Sequence, residues 1–245
     1  MAVNLPPPHD VLDVPGIELG TASTGLKSTD DVVVARFHQN ARVAGVYTQS
    51  AFAAAPVLLA RDREDQCQAW VINSGNANAA TGEPGKQDAE AICAKVAERL
   101  HIDAENVLPF STGVIGQRLD VPALNRAAAV AVERLNSAGW LSAASAIMTT
   151  DTVPKLISRR VALANGEVVV TGMAKGSGMI KPDMATMLAF ISLDIKINKS
   201  NLDKLLKKCV KDSFNSISVD GDMSTNDSVA MIATGSNSHL NFDNN

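Results

Sequence analysis

One sixteen-residue stretch, Lys175–Phe190 (KGSGMIKPDMATMLAF), sets a lone hydroxyl, Thr186, where a glycine-bearing loop meets an apolar, strand-like run. Threonine packs well at the mouth of a strand, so Thr186 can be read as a simple strand former. It can also be read as a nucleophile. The four histidines, His9, His38, His101 and His239, are scattered and distant in sequence, so the hydroxyl would need another base. The α-amine created by cutting the peptide bond before Thr186 is one such base. It titrates at about 7.7–8.0, against about 10.4 for a lysine, and so suits neutral pH. Small Ala185 and the upstream glycines give the backbone freedom for Thr186 Oγ1 to reach the Ala185 carbonyl. Residue spacing leaves both accounts open.

Three further stretches are candidates for binding or catalysis. In PFSTGVIG (Pro109–Gly116) a strand runs into a flexible turn, where the Thr112 hydroxyl and a Gly113 N–H could converge on a developing oxyanion. NSGNANAATG (Asn73–Gly82) follows a strand and precedes a helix, and its Gly and Asn residues tolerate left-handed backbone. VDGDMSTND (Val219–Asp227) crowds three carboxylates into nine residues, but it lacks EF-hand spacing and reads better as a turn held by Asx and Ser/Thr hydrogen bonds. The nucleotide loops fail. GSGMIK lacks the third glycine and leads into Pro182, and GEPGK lacks both the first glycine and the closing Ser/Thr of a P-loop.

These residues need elements to hold them. Runs rich in β-branched residues predict strands at Val32–Phe37, Val43–Thr48, Ala69–Asn73, Val107–Phe110, Val168–Met173, Met187–Leu193 and Val229–Thr234. Helical spacing predicts helices over 86–100, over 121–135 with Pro122 in the first turn, and over 200–214 with Ser200 as N-cap and Leu202, Leu205, Leu206, Cys209 and Val210 on the buried face. Strands alternating with helices predict an α/β or α+β layered domain. The chain ends soon after its last strand, so the helix over 201–214 and that strand are expected to lack partners for a complete second layer.

Composition narrows the class. Of 245 residues 46% are hydrophobic and 20% charged, as in ordinary globular proteins, and the net charge of −4 argues against a nucleic-acid or anionic-membrane surface. Cys67, Cys93 and Cys209 are odd in number and widely spaced, which fits reduced thiols rather than a disulfide framework or a zinc site. With no leader pattern and no membrane-spanning run, the reading is a cytoplasmic protein.

In their order along the chain, NSGNANA, FSTGVIG, AIMTTDTVPK, KGSGMIKPDMATMLAF and VDGDMSTNDS resemble the bifunctional glutamate N-acetyltransferase/ornithine acetyltransferase family of arginine biosynthesis. The resemblance implies an αββα sandwich of the self-cleaving acetyltransferase/aminopeptidase type, incomplete at its C-terminal end. It implies cleavage between Ala185 and Thr186 into an α chain, 1–185, and the start of a truncated β chain, 186–245. Thr186 would then carry acetyl from N-acetyl-L-ornithine, or from acetyl-CoA, to L-glutamate. The resemblance assigns Thr112 and Gly113 to the oxyanion, and Thr150, Lys175 and Thr186 to substrate. It implies no metal or bound cofactor and an oligomer of α and β chains. Competing readings are an N-terminal-nucleophile aminopeptidase or amidohydrolase, and an inactive fragment of the family.

Overall fold

The computed structural model describes residues 7–179 and 187–244. Two sheets stack face to face. The first has the order β1-β2-β4-β5, from β1 (Ile17–Ala22), β2 (Val32–Phe37), β4 (Ala69–Asn76) and β5 (Val107–Val114). The second has the order β3-β9-β8-β7-β6, from β3 (Arg42–Tyr47), β9 (Ser228–Asn241), β8 (Leu188–Lys196), β7 (Gly166–Lys175) and β6 (Lys155–Leu163). Each sheet contains one parallel pair, β4 with β5 and β8 with β9. Parallel strands need a crossover, and helices supply it: α2 (Gly82–Leu100) for the first pair and α5 (Lys199–Lys211) for the second.

Alternation along each strand assigns its side chains to two faces. Trp70, Ile72, Leu108 and Phe110 of the first sheet meet Met173, Leu188, Phe190 and Ile232 of the second in one core. The rings interlock there. Phe190 lies 5.1 Å from Trp70 and 5.0 Å edge-to-face from Phe110. The opposite face of the first sheet packs against α2 and α3 (Val121–Glu133), through residues such as Val34, Val71, Val96 and Ala128. The opposite face of the second packs on α5 through Ala189, Leu193, Leu202, Leu206 and Val229. The result is the four-layered αββα sandwich.

Every run expected as a strand is one, and the three expected helices form. The differences have identifiable causes. β9 is no poorly partnered strand, because β3, from the first quarter of the chain, pairs along its other side. Asn198, not Ser200, caps α5, its side chain accepting from Asn201 N at 2.9 Å. Cys209 is exposed, because the buried stripe of α5 runs through Leu202, Leu206 and Val210, one position out of phase with it. Four elements lacked a legible pattern: β1, β6, α1 (Ala55–Arg63) and α4 (Trp140–Ala146). β1 is interrupted by Gly20, where a Cβ would sit 2.0 Å from the Ala131 carbonyl oxygen of α3, so the helix can approach only a glycine. β6 is an edge strand with mostly exposed side chains. Among the described residues no helix is long and apolar enough to cross a membrane.

Phe190 is fully buried between both sheets. Phe190→Ala should therefore destabilise the protein by about 3–5 kcal/mol in denaturant unfolding, and Cys209→Ser by less than about 0.5 kcal/mol.

Candidate active site

The inward face of β5 is apolar through Leu108 and Phe110 and turns polar at Thr112, and that of β7 carries Val169, Thr171 and Met173 before it ends in Lys175. Thr112 lies two residues past Phe110 and Lys175 two past Met173, so both side chains point into the space between the sheets. There Lys175 Nζ donates to Thr112 Oγ1 at 3.0 Å. One hydrogen bond thus joins the ends of two sheets, with both residues buried.

A cleft of about 540 Å³ opens above this bond, lined by Lys27, Thr112, Gly113, Thr150, Lys175 and Asn226 among others, within the range of small-molecule sites. On one wall Thr150 Oγ1 lies 2.7 Å from Ser177 Oγ. Beside it Asp151 accepts from Lys155 Nζ and, at 2.9 Å, from Gly176 N, which ties the Thr150 loop to the residue after β7. Burial pushes the Asp151 carboxyl up, but these donors outweigh it and hold it below the usual carboxylate range.

On the other wall Lys27 donates to Ser74 Oγ at 2.6 Å, Ala146 O at 3.1 Å and Met148 O at 2.9 Å. Its three ammonium protons are all used. Burial lowers the Lys27 pKa, and Asp31 partly restores it. Asn226 closes the floor, its Nδ2 donating to Ala77 O at 2.6 Å and Ser111 O at 2.9 Å. It precedes β9 in the second sheet while its acceptors lie just past β4 and on β5 of the first, so it too spans the sandwich.

Gly113 is exposed at the cleft with φ +136, and a Cβ there would meet Gly75 C at 2.2 Å and Asn76 N at 2.4 Å. Parallel pairing of β4 with β5 continues into this turn as Ser74↔Thr112 and Gly75↔Gly113, which is why both strands outrun the lengths expected of them. Burial lowers the Lys175 pKa, while Asp151 and Asp227 draw it back up.

Thr112, Gly113, Thr150 and Lys175 therefore share one cleft. Ala185 and Thr186 lie outside the described residues. Met187, the next residue, has its backbone N–H held by Asp227 Oδ1 at 2.9 Å. VDGDMSTND is a hydrogen-bonded turn, with Asn226 N on Ser224 Oγ at 3.1 Å and Thr225 Oγ1 on Asn226 Oδ1 at 2.7 Å. Among the described residues no group of three or more His, Cys, Asp or Glu side chains could hold a metal. Sequence reasoning missed Lys27, Asp151 and Asn226. The STND turn pointed towards the last of these, while Lys27 carries no local signal.

A family model described as the ArgJ family matches residues 18–245. The arginine biosynthesis bifunctional protein ArgJ of Pseudomonas fluorescens (strain Pf0-1) is 47% identical over 238 residues, 96% of this chain and 59% of that protein. This chain thus spans under two thirds of the relative's length. Among solved structures, ornithine acetyltransferase from Mycobacterium tuberculosis, complexed with ornithine, is 30% identical with a TM-score of 0.60, covering 69% of this chain and 93% of that one. The L-aminopeptidase D-Ala-esterase/amidase of Ochrobactrum anthropi, a variant of the Ntn-hydrolase fold, has a TM-score of 0.57 over 93% of this chain and 76% of its own. At 10% identity that likeness concerns the fold alone.

Asp227 is the most perturbed carboxyl of the site. It is 1% exposed, and burial pushes its pKa up to about 7 against the opposing pull of the Met187 N–H, Ser224 and Lys175. Its folded pKa exceeds its unfolded one, so the folded state binds more protons between about pH 4 and 7, and stability from this group is lost as pH rises through that window. The full effect is at most about 4 kcal/mol. Asp227→Asn should flatten that fall, seen as a narrowing stability deficit, or a gain, relative to wild type as unfolding is measured from pH 4 to pH 8.

Proposed function

This chain belongs to the ArgJ family, and on that premise we propose that it performs the acetyl transfer of arginine biosynthesis through Thr186, after cutting itself between Ala185 and Thr186. The observation that carries the reading is the convergence of Thr112, Gly113, Thr150 and Lys175 on one cleft, formed where two sheets meet.

Self-cleavage begins with Thr186 Oγ1 adding to the Ala185 carbonyl. The amide nitrogen of Thr186 leaves as an amine, and water then hydrolyses the ester, giving fragments 1–185 and 186–245. The freed α-amine accepts the Thr186 hydroxyl proton when that oxygen attacks the acetyl carbonyl of N-acetyl-L-ornithine. Ornithine departs, and the acetyl group remains as an ester on Thr186. The amino group of L-glutamate attacks that ester, and N-acetylglutamate leaves with Thr186 restored. A shuttled acetyl group gives ping-pong kinetics.

Each tetrahedral intermediate carries an oxyanion, which the Thr112 hydroxyl and Gly113 N–H stabilise. Loss of one such donor typically costs about 2.7–4 kcal/mol of barrier. The Lys175 ammonium holds the carboxylate of the amino-acid substrate, and Thr150 contributes a polar contact beside it. Acetyl-CoA is a second donor of the same group. The chemistry calls for no metal or resident cofactor. The working form is an oligomer of α and β pieces in the cytoplasm. Ornithine in the related Mycobacterium tuberculosis structure supports the substrate class.

Intact-mass spectrometry of the purified chain beside Thr186→Ala tests the reading. Two fragments meeting at Ala185/Thr186 are expected, absent from the variant, together with acetyl transfer from N-acetylornithine to glutamate that the variant lacks. A single uncut wild-type chain without transfer would instead mark an inactive fragment. Release of free acetate with no acetylglutamate would mark a hydrolase.

A further inference from the structure

A hydroxyl can both donate and accept, and nothing in its own geometry decides where its proton points. A lysine ammonium has three N–H donors and no acceptor. Asp151 and Asp227 favour the charged form of Lys175, and for that ammonium the 3.0 Å contact from Nζ to Thr112 Oγ1 runs in one direction only, with the hydroxyl oxygen accepting. The one O–H of Thr112 must then point away from the ammonium. We propose that Lys175 is a positioning residue for Thr112: its N–H fixes the Thr112 rotor so that the hydroxyl proton faces the cleft as an oxyanion donor.

This goes beyond holding a substrate carboxylate, and it rests on the proposed Thr186 chemistry. Two observations carry it. First, the same device stands complete one strand away. Lys27 donates to Ser74 Oγ at 2.6 Å, and the Ser74 hydroxyl passes its own proton on to Ala146 O at 2.6 Å. Ser74 and Thr112 are register partners across β4 and β5, so two lysine–hydroxyl pairs sit side by side at the ends of adjacent strands. In one the relayed proton satisfies a backbone carbonyl. In the other it belongs to a residue lining the cleft.

Second, the bond is sheltered. Lys175 is 4% and Thr112 7% exposed, and away from water a charged donor polarises the hydroxyl it serves, making that O–H a better donor in turn. Gly113 needs no such help, because its N–H direction is set by the backbone.

Self-cleavage uses no free substrate, so it separates positioning from substrate binding. The full chain is made by cell-free synthesis, and the uncut fraction is followed by intact mass for wild type, Lys175→Met, Lys175→Arg, Thr112→Val and the Lys175→Met/Thr112→Val double variant. Folding of each is checked by thermal unfolding, with Lys175→Gln replacing the Met variant if that fails to fold. Thr112→Val and Lys175→Met should each slow cutting about tenfold or more. Lys175→Arg, also a donor-only cation, should recover most of the rate. The double variant should be no slower than Thr112→Val alone, because both changes act on one proton. Wild-type rates in Lys175→Met or Thr112→Val, or multiplying effects in the double variant, overturn the inference while leaving the Thr186 reading intact. A wild-type chain that never cuts defeats the Thr186 reading and the inference together.

Discussion

The burial of two sheet faces against each other around Trp70, Phe110 and Phe190 sets everything else in this protein. Ring-against-ring packing fixes the separation of the sheets, and the two-residue period of a strand carries that fixed geometry onward. Thr112 faces Lys175 because each lies two residues beyond a core residue on the inward side of its strand. A one-residue slip of β5 would turn its polar end away from the cleft and its core residues towards α2 and α3. The cleft is thus the polar margin of the hydrophobic seam, positioned by the same register that makes the core.

That margin holds charges an apolar core would be more stable without. Lys175 and Asp227 are buried and Lys27 is partly so, each displaced in pKa by that burial. Taking an ammonium or carboxylate out of water costs several kcal/mol unless partners replace the lost hydration. Lys27 has three acceptors, Lys175 has Thr112 with Asp151 and Asp227 nearby, and Asp227 has the Met187 N–H. Asp227 Oδ2 has no hydrogen bond of good geometry among the described residues, with Ser224 near enough to draw its pKa down. Buried polar atoms without a partner also occur in the core, at Trp70 Nε1 and Trp140 Nε1, but the cleft is where buried charges gather, the pattern that marks candidate functional sites.

How much of this the sequence reveals follows from the range of each interaction. Val32–Phe37 and Val107–Phe110 announce themselves because burial on both faces demands β-branched and apolar residues in a row. The glycine turns after β4 and β5 are visible because Gly75 and Gly113 need backbone conformations other residues avoid. Lys27 was invisible, since its partners Ser74 and Met148 lie 47 and 121 residues away and impose no pattern on its neighbours. Asn226 was half legible. Its turn chemistry is local, but its bonds to Ala77 and Ser111 reach back 149 and 115 residues. β6 and α4 escaped for the opposite reason, one being an exposed edge and the other only seven residues long.

The Ala185–Thr186 bond divides the sequence but not the fold. Of the second sheet, β3, β6 and β7 precede the bond, while β8 and β9 follow it and are inserted between β3 and β7. The ladder of β8 begins at Leu188, paired with Lys175 on one side and Ser228 on the other, so these pairings lie downstream of the bond and do not depend on it. Phe190 then sits between Trp70 and Phe110, which belong to the earlier piece. A cut at this place would leave two chains sharing one core and one sheet, and separating them would expose that core to water. Strand order alone therefore permits a nucleophile to be made by breaking the backbone beside a packed strand without loosening the strand. Asp227 reinforces this by gripping the Met187 N–H, one residue past the bond, from the start of β9. The end created by a cut would be anchored from its second residue onward, at the margin where Lys175 and Thr112 already meet.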